Sequence, residues 1–416
     1  MSAPAAMGSG MSRARRLRVL VVHNRYRSDQ PSGEDRVVDQ ETALLAEAGH
    51  QVSTFERRSD DIASMSMLGK AAIPFRVPWN PAVRSELAAR LRAERPDIVH
   101  IHNTFPLLSP SVVAACADAD VPVVATLHNY LMVCPSGTLY RDGRVCTDCT
   151  DATPLPALRH GCYRGSSLAT VPRAVNIVAN RRRWWSGVAR LFCISNTQRQ
   201  ILIQSGLPAQ RLAVKHNFVE EPSMRRAGPG EHVLYLGRMT EEKGLRILMA
   251  AWDAIAANGG LGLPLVLAGT GPLQEELTRW ARDREDVRYL GRRSRAECAE
   301  LTARSAAVVA PSTWMEPFGL VVVEAMAAGV PAVAAAHGAF VELVHDEVTG
   351  ILHRPGDTSS LAECLSRLVT DPRLNRRLGT AARRRYEAGF TPAIGLARLV
   401  AGYEDAIAGL ASCEPM

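Results

Sequence analysis

The residues best placed to do chemistry lie in PSTWMEPFGLVVVEAMAAGVPAVA, residues 311–334. The middle of this stretch is almost wholly apolar or small, and it reads as a buried helix running into a buried strand. Glu316 and Glu324 nevertheless stand in it with Glu-x7-Glu spacing. Desolvating an ionised carboxylate among Val-Val-Val-Glu-Ala-Met-Ala-Ala is costly unless donors reach it. A helix starting near Phe318 leaves the amides of Phe318, Gly319 and Leu320 without intrahelical acceptors, as a donor set for anionic or hydroxyl oxygens. Glu316 is then an acceptor at the edge of that set. Glu324, about two turns in, suits a vicinal diol such as a ribose, whose two hydroxyls donate together. An arginine from elsewhere in the chain is the alternative partner.

A second group of residues lies in YLGRMTEEKGLRILMAAW. The strand ends at Gly237, and a helix begins near Thr240 or Lys243 with Leu245, Leu248, Ala251 and Trp252 as its apolar stripe. Glu241 and Glu242 suit a helix N-terminus, but Arg238 and Lys243 do not, because the dipole there is positive. Two bases in that place fit around an anion such as a diphosphate. Two solvated surface bases are the plain alternative. AGTGPLQEEL and YLGRRSRAE are further strand-to-helix turns that carry Gly269, Gly271 and Arg292. A lone Gly-x-Gly describes a tight turn as well as a phosphate loop.

These groups need a scaffold that brings strand ends together. RLRVLVVHN, HQVSTFER, DIVHIHN, VPVVATLHN and RLFCIS read as buried strands with helices between most of them, one from about Glu34 to Ala48. After a polar, Pro- and Gly-bearing break the alternation restarts with HVLYLGRM, LPLVLAGTG, DVRYLG, AAVVAPS, VPAVAAA and TGILHRPGD. Continuous apolar strands separated by helices predict parallel sheets covered on both faces. The expected fold class is α/β, with two Rossmann-like doubly wound parallel-sheet domains facing a cleft. The expected division is a disordered tail over 1–16, a first domain over 17–216, a linker over 217–231 and a second domain over 232–390. A C-terminal helix over 391–416 is expected to be able to cross back to the first domain. Ligands of open α/β sheets bind beyond the carboxyl ends of the strands, which puts the site between the two domains.

The chain has 416 residues and a formal net charge of +7, which favours anionic ligands in general. There is no zinc-finger spacing of two cysteines and two histidines and no RNA-recognition motif, so no nucleic-acid partner is expected. The N-terminal segment has no apolar core of a secretory signal, and no run approaches the roughly 18 apolar residues of a membrane span. A cytoplasmic protein without a disulfide framework is the expectation. Asp118 and Asp120 in CADADVP precede a strand rather than follow one, and read as a solvated turn rather than a metal site.

Glu-x7-Glu within EPFGLVVVEAMAAGVPAVA, preceded by Gly-Arg-x4-Lys-Gly, resembles the retaining GT-B glycosyltransferases of family 4. The resemblance runs from GEDRVVDQE to the C-terminal helices. It implies a hexosyltransferase-type enzyme acting on a nucleotide-sugar donor, UDP-sugar first and GDP-sugar next. Arg238 and Lys243 would hold the donor diphosphate and stabilise the leaving group. Glu316 would bond the transferred sugar, the amides of Phe318, Gly319 and Leu320 would hold sugar and phosphate, and Glu324 would take the ribose. The donor-binding set expected on this basis also includes Gly33, Gly237, Gly269, Gly271 and Arg292. Gly33 would lie beside the phosphate, although Ser32 stands where family members often have a second glycine. His128 in ATLHNY falls where the family has a histidine near the reacting sugar. No catalytic metal is expected, since the two bases supply positive charge themselves.

HNYLMVCPSGTLYRDGRVCTDCTDATPLPALRHGCYRG holds Cys134, Cys146, Cys149 and Cys162 in a loop-like insertion over about 131–165. Cys146-x2-Cys149 is metal-ligand spacing, and a loop of this length needs a staple, so a structural zinc is one reading. His160 is an alternative ligand, and free thiols or a redox disulfide are the other readings. One subgroup of the family carries similar insertions. ANRRRWWSGVARLF suggests either peripheral contact with the inner face of a membrane or a basic helix face with its tryptophans packed inward. The resemblance implies a hydroxyl-bearing acceptor, a glycan, a lipid-linked sugar or a natural product, without selecting among them. A sugar-nucleotide epimerase or hydrolase, or a non-catalytic partner subunit of the same fold, are the alternatives.

Overall fold

The computed structural model describes residues 15–29, 32–151 and 153–411. Most of the tail expected over 1–16 therefore lies outside the described residues. Among the described residues there are fourteen strands. In the first half they are β1 Arg18–Arg25, β2 Gln51–Arg58, β3 Ile98–Asn103, β4 Val123–Leu127, β5 Tyr140–Arg141, β6 Arg144–Val145, β7 Arg190–Cys193 and β8 Leu212–Val214. In the second they are β9 His232–Leu236, β10 Leu265–Ala268, β11 Val287–Tyr289, β12 Ser305–Ala310, β13 Ala332–Ala335 and β14 Gly350–His353.

Twelve of them build two six-stranded sheets, ordered β2-β1-β3-β4-β7-β8 and β11-β10-β9-β12-β13-β14, and every pairing in both is parallel; β5 and β6 form a separate antiparallel hairpin. The central strands are buried along their length, as in IVHIHN of β3 and SAAVVA of β12. That follows from helices on both faces. All six expected strands of the second sheet are present. In the first, β8 was not expected, nor was the separate hairpin β5–β6, whose two-residue strands leave no periodicity to read.

In each sheet the strand order reverses once, between β1 and β3 and between β9 and β12. Loops diverge at such a point and leave a crevice. The second crevice is bounded by the loops after β9 and β12, which carry Gly237–Lys243 and Pro311–Gly319. Helix starts are set locally. Ser32 caps the helix Gly33–Glu47 by accepting from the Glu34 amide at 3.1 Å. The helix expected from Phe318 begins instead at Leu320, because Gly319 takes a φ of +102° that no helix residue adopts. A Cβ at Gly319 would also stand 2.4 Å from Cε1 of Phe340.

The helix Pro392–Ala411 lies on the first sheet, where the buried Tyr403 hydroxyl meets His100 Nδ1 at 2.7 Å. Beside it the connecting segment is clasped to the second half: the Val219 amide donates to Phe390 O at 3.0 Å and the Tyr386 hydroxyl to Val219 O at 2.9 Å. Further bonds cross directly between the halves. The Asn196 amide donates to the Glu342 carboxylate, Thr197 Oγ1 donates to Gly338 O at 3.1 Å, and Arg36 pairs with Glu324.

Candidate active site

The loop after β9 is held rigid by its own backbone. The buried Tyr235 hydroxyl donates to Arg238 O at 2.8 Å, and a Cβ on Gly244 would fall 1.9 Å from Pro311 O. The turn Lys243–Gly244 is thus pressed against the loop after β12. Lys243 Nζ consequently reaches Glu316 Oε2 at 2.6 Å and stands 5.0 Å from the centre of the Trp314 ring. The same Oε2 accepts from Ser312 Oγ at 3.2 Å and Trp314 Nε1 at 3.0 Å. Three donors converge on one oxygen of a buried carboxylate and leave Oε1 outside these bonds. The amides of Phe318, Gly319 and Leu320 have no acceptor among the described residues.

One expectation changes. Glu324 is not a buried carboxylate: its side chain is 25% exposed, and it is paired with Arg36, which comes from the helix Gly33–Glu47 of the other half. The partner is therefore an arginine far away in sequence, and Val322 and Val323 bury the neighbouring faces instead. The glycines Gly269 and Gly271 are required by the loop's own packing. Gly269 has a φ of +141°, and Cβ atoms at the two positions would stand 1.8 Å from Gly237 O and 2.5 Å from Met239 O. Gly237 is close to Tyr235, with its would-be Cβ 3.3 Å from the hydroxyl. Arg238 is exposed and bonds Glu242 at 3.3 Å, and Arg292 is exposed on the third turn.

From the first half, Gly33 comes within van der Waals reach of Leu320, its would-be Cβ 3.2 Å from Cδ1. The start of the helix Gly33–Glu47 therefore faces the start of the helix Leu320–Ala328 across the cleft. His128 follows β4, where Gln198 Nε2 fixes the chain by donating to Leu127 O at 2.9 Å and Asn129 O at 3.1 Å. Burial, then the charges of Lys215 and His23, hold the His128 imidazole neutral, well below 6.5. Glu34 meets the residue after His128: its Oε2 accepts from Asn129 Nδ2 at 3.4 Å and from the Tyr26 hydroxyl at 3.2 Å. Arg36, Glu34 and the contact of Tyr140 with Thr313 were not read from sequence; the Arg in GEDRVV, on an amphipathic helix, was the one visible signal.

The four insertion cysteines are gathered by the fold. The Cys149 thiol is pushed up to about 11, by burial first and, against a bond from the Ala157 backbone, by Cys134, Cys162 and Cys146. No three of them approach within 4.8 Å. His160 is engaged with Arg141 at 3.2 Å instead. Among the described residues the one such group of metal-ligating types is Glu41, His100 and His102. It does not fit a metal: both His100 nitrogens are occupied, by Tyr403 at 2.7 Å and Thr126 at 2.8 Å, and Lys215 is on Glu41. Asp118 pairs with Arg84 and Asp120 sits in a turn at φ +51°. Trp184 is buried and Trp185 lies under Arg181, so the tryptophans of RRRWW pack inward.

Comparisons with known proteins bear on the family and the fold. The profile of glycosyl transferases group 1 matches residues 221–385, and that of glycosyltransferase family 4 matches residues 31–221. A glycogen synthase of Mycobacterium tuberculosis is 28% identical over 90% of this chain and 91% of its own length. A phosphatidyl-myo-inositol mannosyltransferase of Mycobacterium leprae is 27% identical over 87% of this chain and 91% of its own. Anabaena HepE, solved in complex with UDP and glucose, superposes with a TM-score of 0.64 at 19% identity, over 94% of this chain and 100% of HepE. A sucrose-phosphate synthase from Thermosynechococcus elongatus does so with a TM-score of 0.71 at 18% identity, over 95% and 100%.

Proposed function

Because the chain belongs to the GT-B glycosyltransferases of group 1, family 4, we propose that it transfers a sugar, with retention, from a UDP-sugar to a hydroxyl acceptor. The observation that carries this is the Lys243–Glu316 pair at the switch point, set beside the open amides of Phe318 to Leu320. In this reading the diphosphate lies between those amides, Gly33, Lys243 and Arg238. The glycosyl–oxygen bond breaks with its electron pair going to the phosphate oxygen, and the two bases stabilise the charge that develops there. The acceptor hydroxyl attacks from the same face and passes its proton to the departing phosphate. Glu316 Oε1 accepts from sugar hydroxyls, and Glu324 exchanges Arg36 for the ribose diol. UDP is favoured over GDP because the HepE structure holds UDP.

The acceptor is a glycan, a lipid-linked sugar or a natural product. The lipid-acting name of the mannosyltransferase relative and the exposed apolar residues described below support work at a membrane surface. The Cys insertion is read as a zinc staple that shapes the acceptor side. No helix among the described residues is long and apolar enough to cross a membrane.

A thermal-shift panel of UDP, GDP, ADP and dTDP with their sugar conjugates tests the donor site, since a ligand of the native state raises apparent stability by mass action. UDP and a UDP-sugar should raise Tm. The shift should vanish in Lys243→Ala and Glu324→Ala and persist or grow in Arg36→Ala, where the ribose has no competitor. Lys243→Ala should also cost about a hundredfold in kcat. A panel in which no nucleotide shifts Tm would refute the donor site, and a shift with GDP alone would reassign the base.

A further inference from the structure

Behind His128 a row of buried polar side chains runs into the first half. His102 Nδ1 lies 3.0 Å from His128 Nε2. The other nitrogen, His102 Nε2, faces Glu41 Oε2 at 3.9 Å. That oxygen is buried and has no hydrogen-bond partner among the described residues. Oε1 of the same carboxylate takes Lys215 Nζ. Four separate elements supply this row: the helix Gly33–Glu47, β3, the end of β4 and the residue after β8. Glu41 and Lys215 are each 3% exposed. A buried ion pair of this kind stabilises a fold no better than an apolar pair of the same volume, so stability alone does not account for it.

A neutral imidazole carries one N–H and one lone pair. The carboxylate oxygen opposite His102 Nε2 favours the N–H at that nitrogen. His102 Nδ1 is then the lone pair and accepts from Nε2–H of His128. His128 is left with a bare Nδ1, which has no protein partner among the described residues on a half-buried side chain. The neighbouring His100 cannot do the same, because Tyr403 and Thr126 occupy both its nitrogens.

We propose that Glu41, acting through His102, is a positioning residue that fixes His128 as the Nε2–H tautomer, so that Nδ1 accepts a hydrogen bond from a sugar hydroxyl in the cleft. This rests on the reading of His128 as a site residue. A carboxylate that orients an imidazole from behind does for a substrate-binding histidine what it does for metal-bound ones.

Long-range proton–nitrogen correlation on protein labelled with 15N-histidine reads each tautomer directly, with His128→Gln and His102→Gln supplying assignments. The wild type should show His128 protonated at Nε2. In Glu41→Gln the new amide N–H donates to His102 Nε2 and reverses the row, so His128 should become protonated at Nδ1. Turnover, followed as UDP release from UDP-glucose, should fall about 10- to 100-fold in kcat, with KM changed less than about twofold. If Glu41→Gln does not fold, the pair Glu41→Gln with Lys215→Met leaves no unpaired buried charge and is read in the same way. A His128 protonated at Nδ1 in the wild type, or unmoved in the variant, overturns the proposal; so does a reversed tautomer with unchanged kcat. His128→Ala with full turnover would instead sink the reading of His128 itself, and no UDP release from the wild type would count against the donor, with the tautomer still deciding this point.

Discussion

Glu34 follows Gly33 into the cleft-facing end of its helix, and its Oε1 is buried without a partner among the described residues. Burial above all raises its pKa to about 8, aided by the charge of Asp35 and opposed by the bonds from Tyr26 and Asn129. The native state therefore holds a proton that the unfolded chain releases near 4.5. The stability this proton contributes is fully present below 4.5, falls as pH rises and is gone above about 8. Denaturant titrations across that range should show wild-type stability falling by one proton's worth of linkage relative to Glu34→Gln. Parallel pH profiles for the two proteins would mean that Glu34 is already ionised. Elsewhere in the site the residue types were legible because bases at a helix start and a carboxylate in an apolar run are locally anomalous. Their partners were not legible. Lys243 and Glu316 are 73 residues apart, and Arg36 and Glu324 are 288 apart.

At the scale of elements, the insertion matters because it reaches across the cleft. Its hairpin strand β5 starts at Tyr140, whose hydroxyl accepts from Thr313 Oγ1 at 3.1 Å. Two-residue strands cannot hold such a hairpin by themselves, and a zinc that draws the four thiols together is the proposed staple. Burial raises the Cys149 and Cys162 thiols, which a metal would have to overcome by displacing their protons. Purified protein should carry about one equivalent of zinc. Chelation or Cys149→Ser should remove it and lower Tm. Metal-free protein of unchanged Tm and activity would show that these are plain thiols. The sequence pointed to this insertion by its cysteines alone, since it has no hydrophobic period to place the hairpin.

Over the whole molecule, the first half presents an apolar face that local reading missed. Met67, Leu68 and Phe75 on the helix Met67–Arg76 and Leu168 on the adjoining helix Ser167–Gly187 are at least 80% exposed. Neither helix contains an acidic residue, while Lys70, Arg76 and Arg182 bring positive charge. Apolar residues rimmed by bases match an anionic bilayer surface. The protein should co-float with phosphatidylglycerol vesicles and not with phosphatidylcholine vesicles. Leu68→Ser with Phe75→Ser should abolish the binding while leaving nucleotide shifts intact. Equal flotation of that variant would place the contact elsewhere.

The sequence by itself determined the two parallel sheets, their helices and the residue types at the cleft. Buried parallel strands are continuous apolar runs, and glycine-bearing strand-to-helix turns mark where they end. Only the tertiary structure decided who meets whom: Arg36 with Glu324, Lys243 with Glu316, and the row from Lys215 through Glu41 and His102 to His128. Those pairings are set by strand order and by how the two halves close on each other, and strand order leaves no mark on the local spacing of residues.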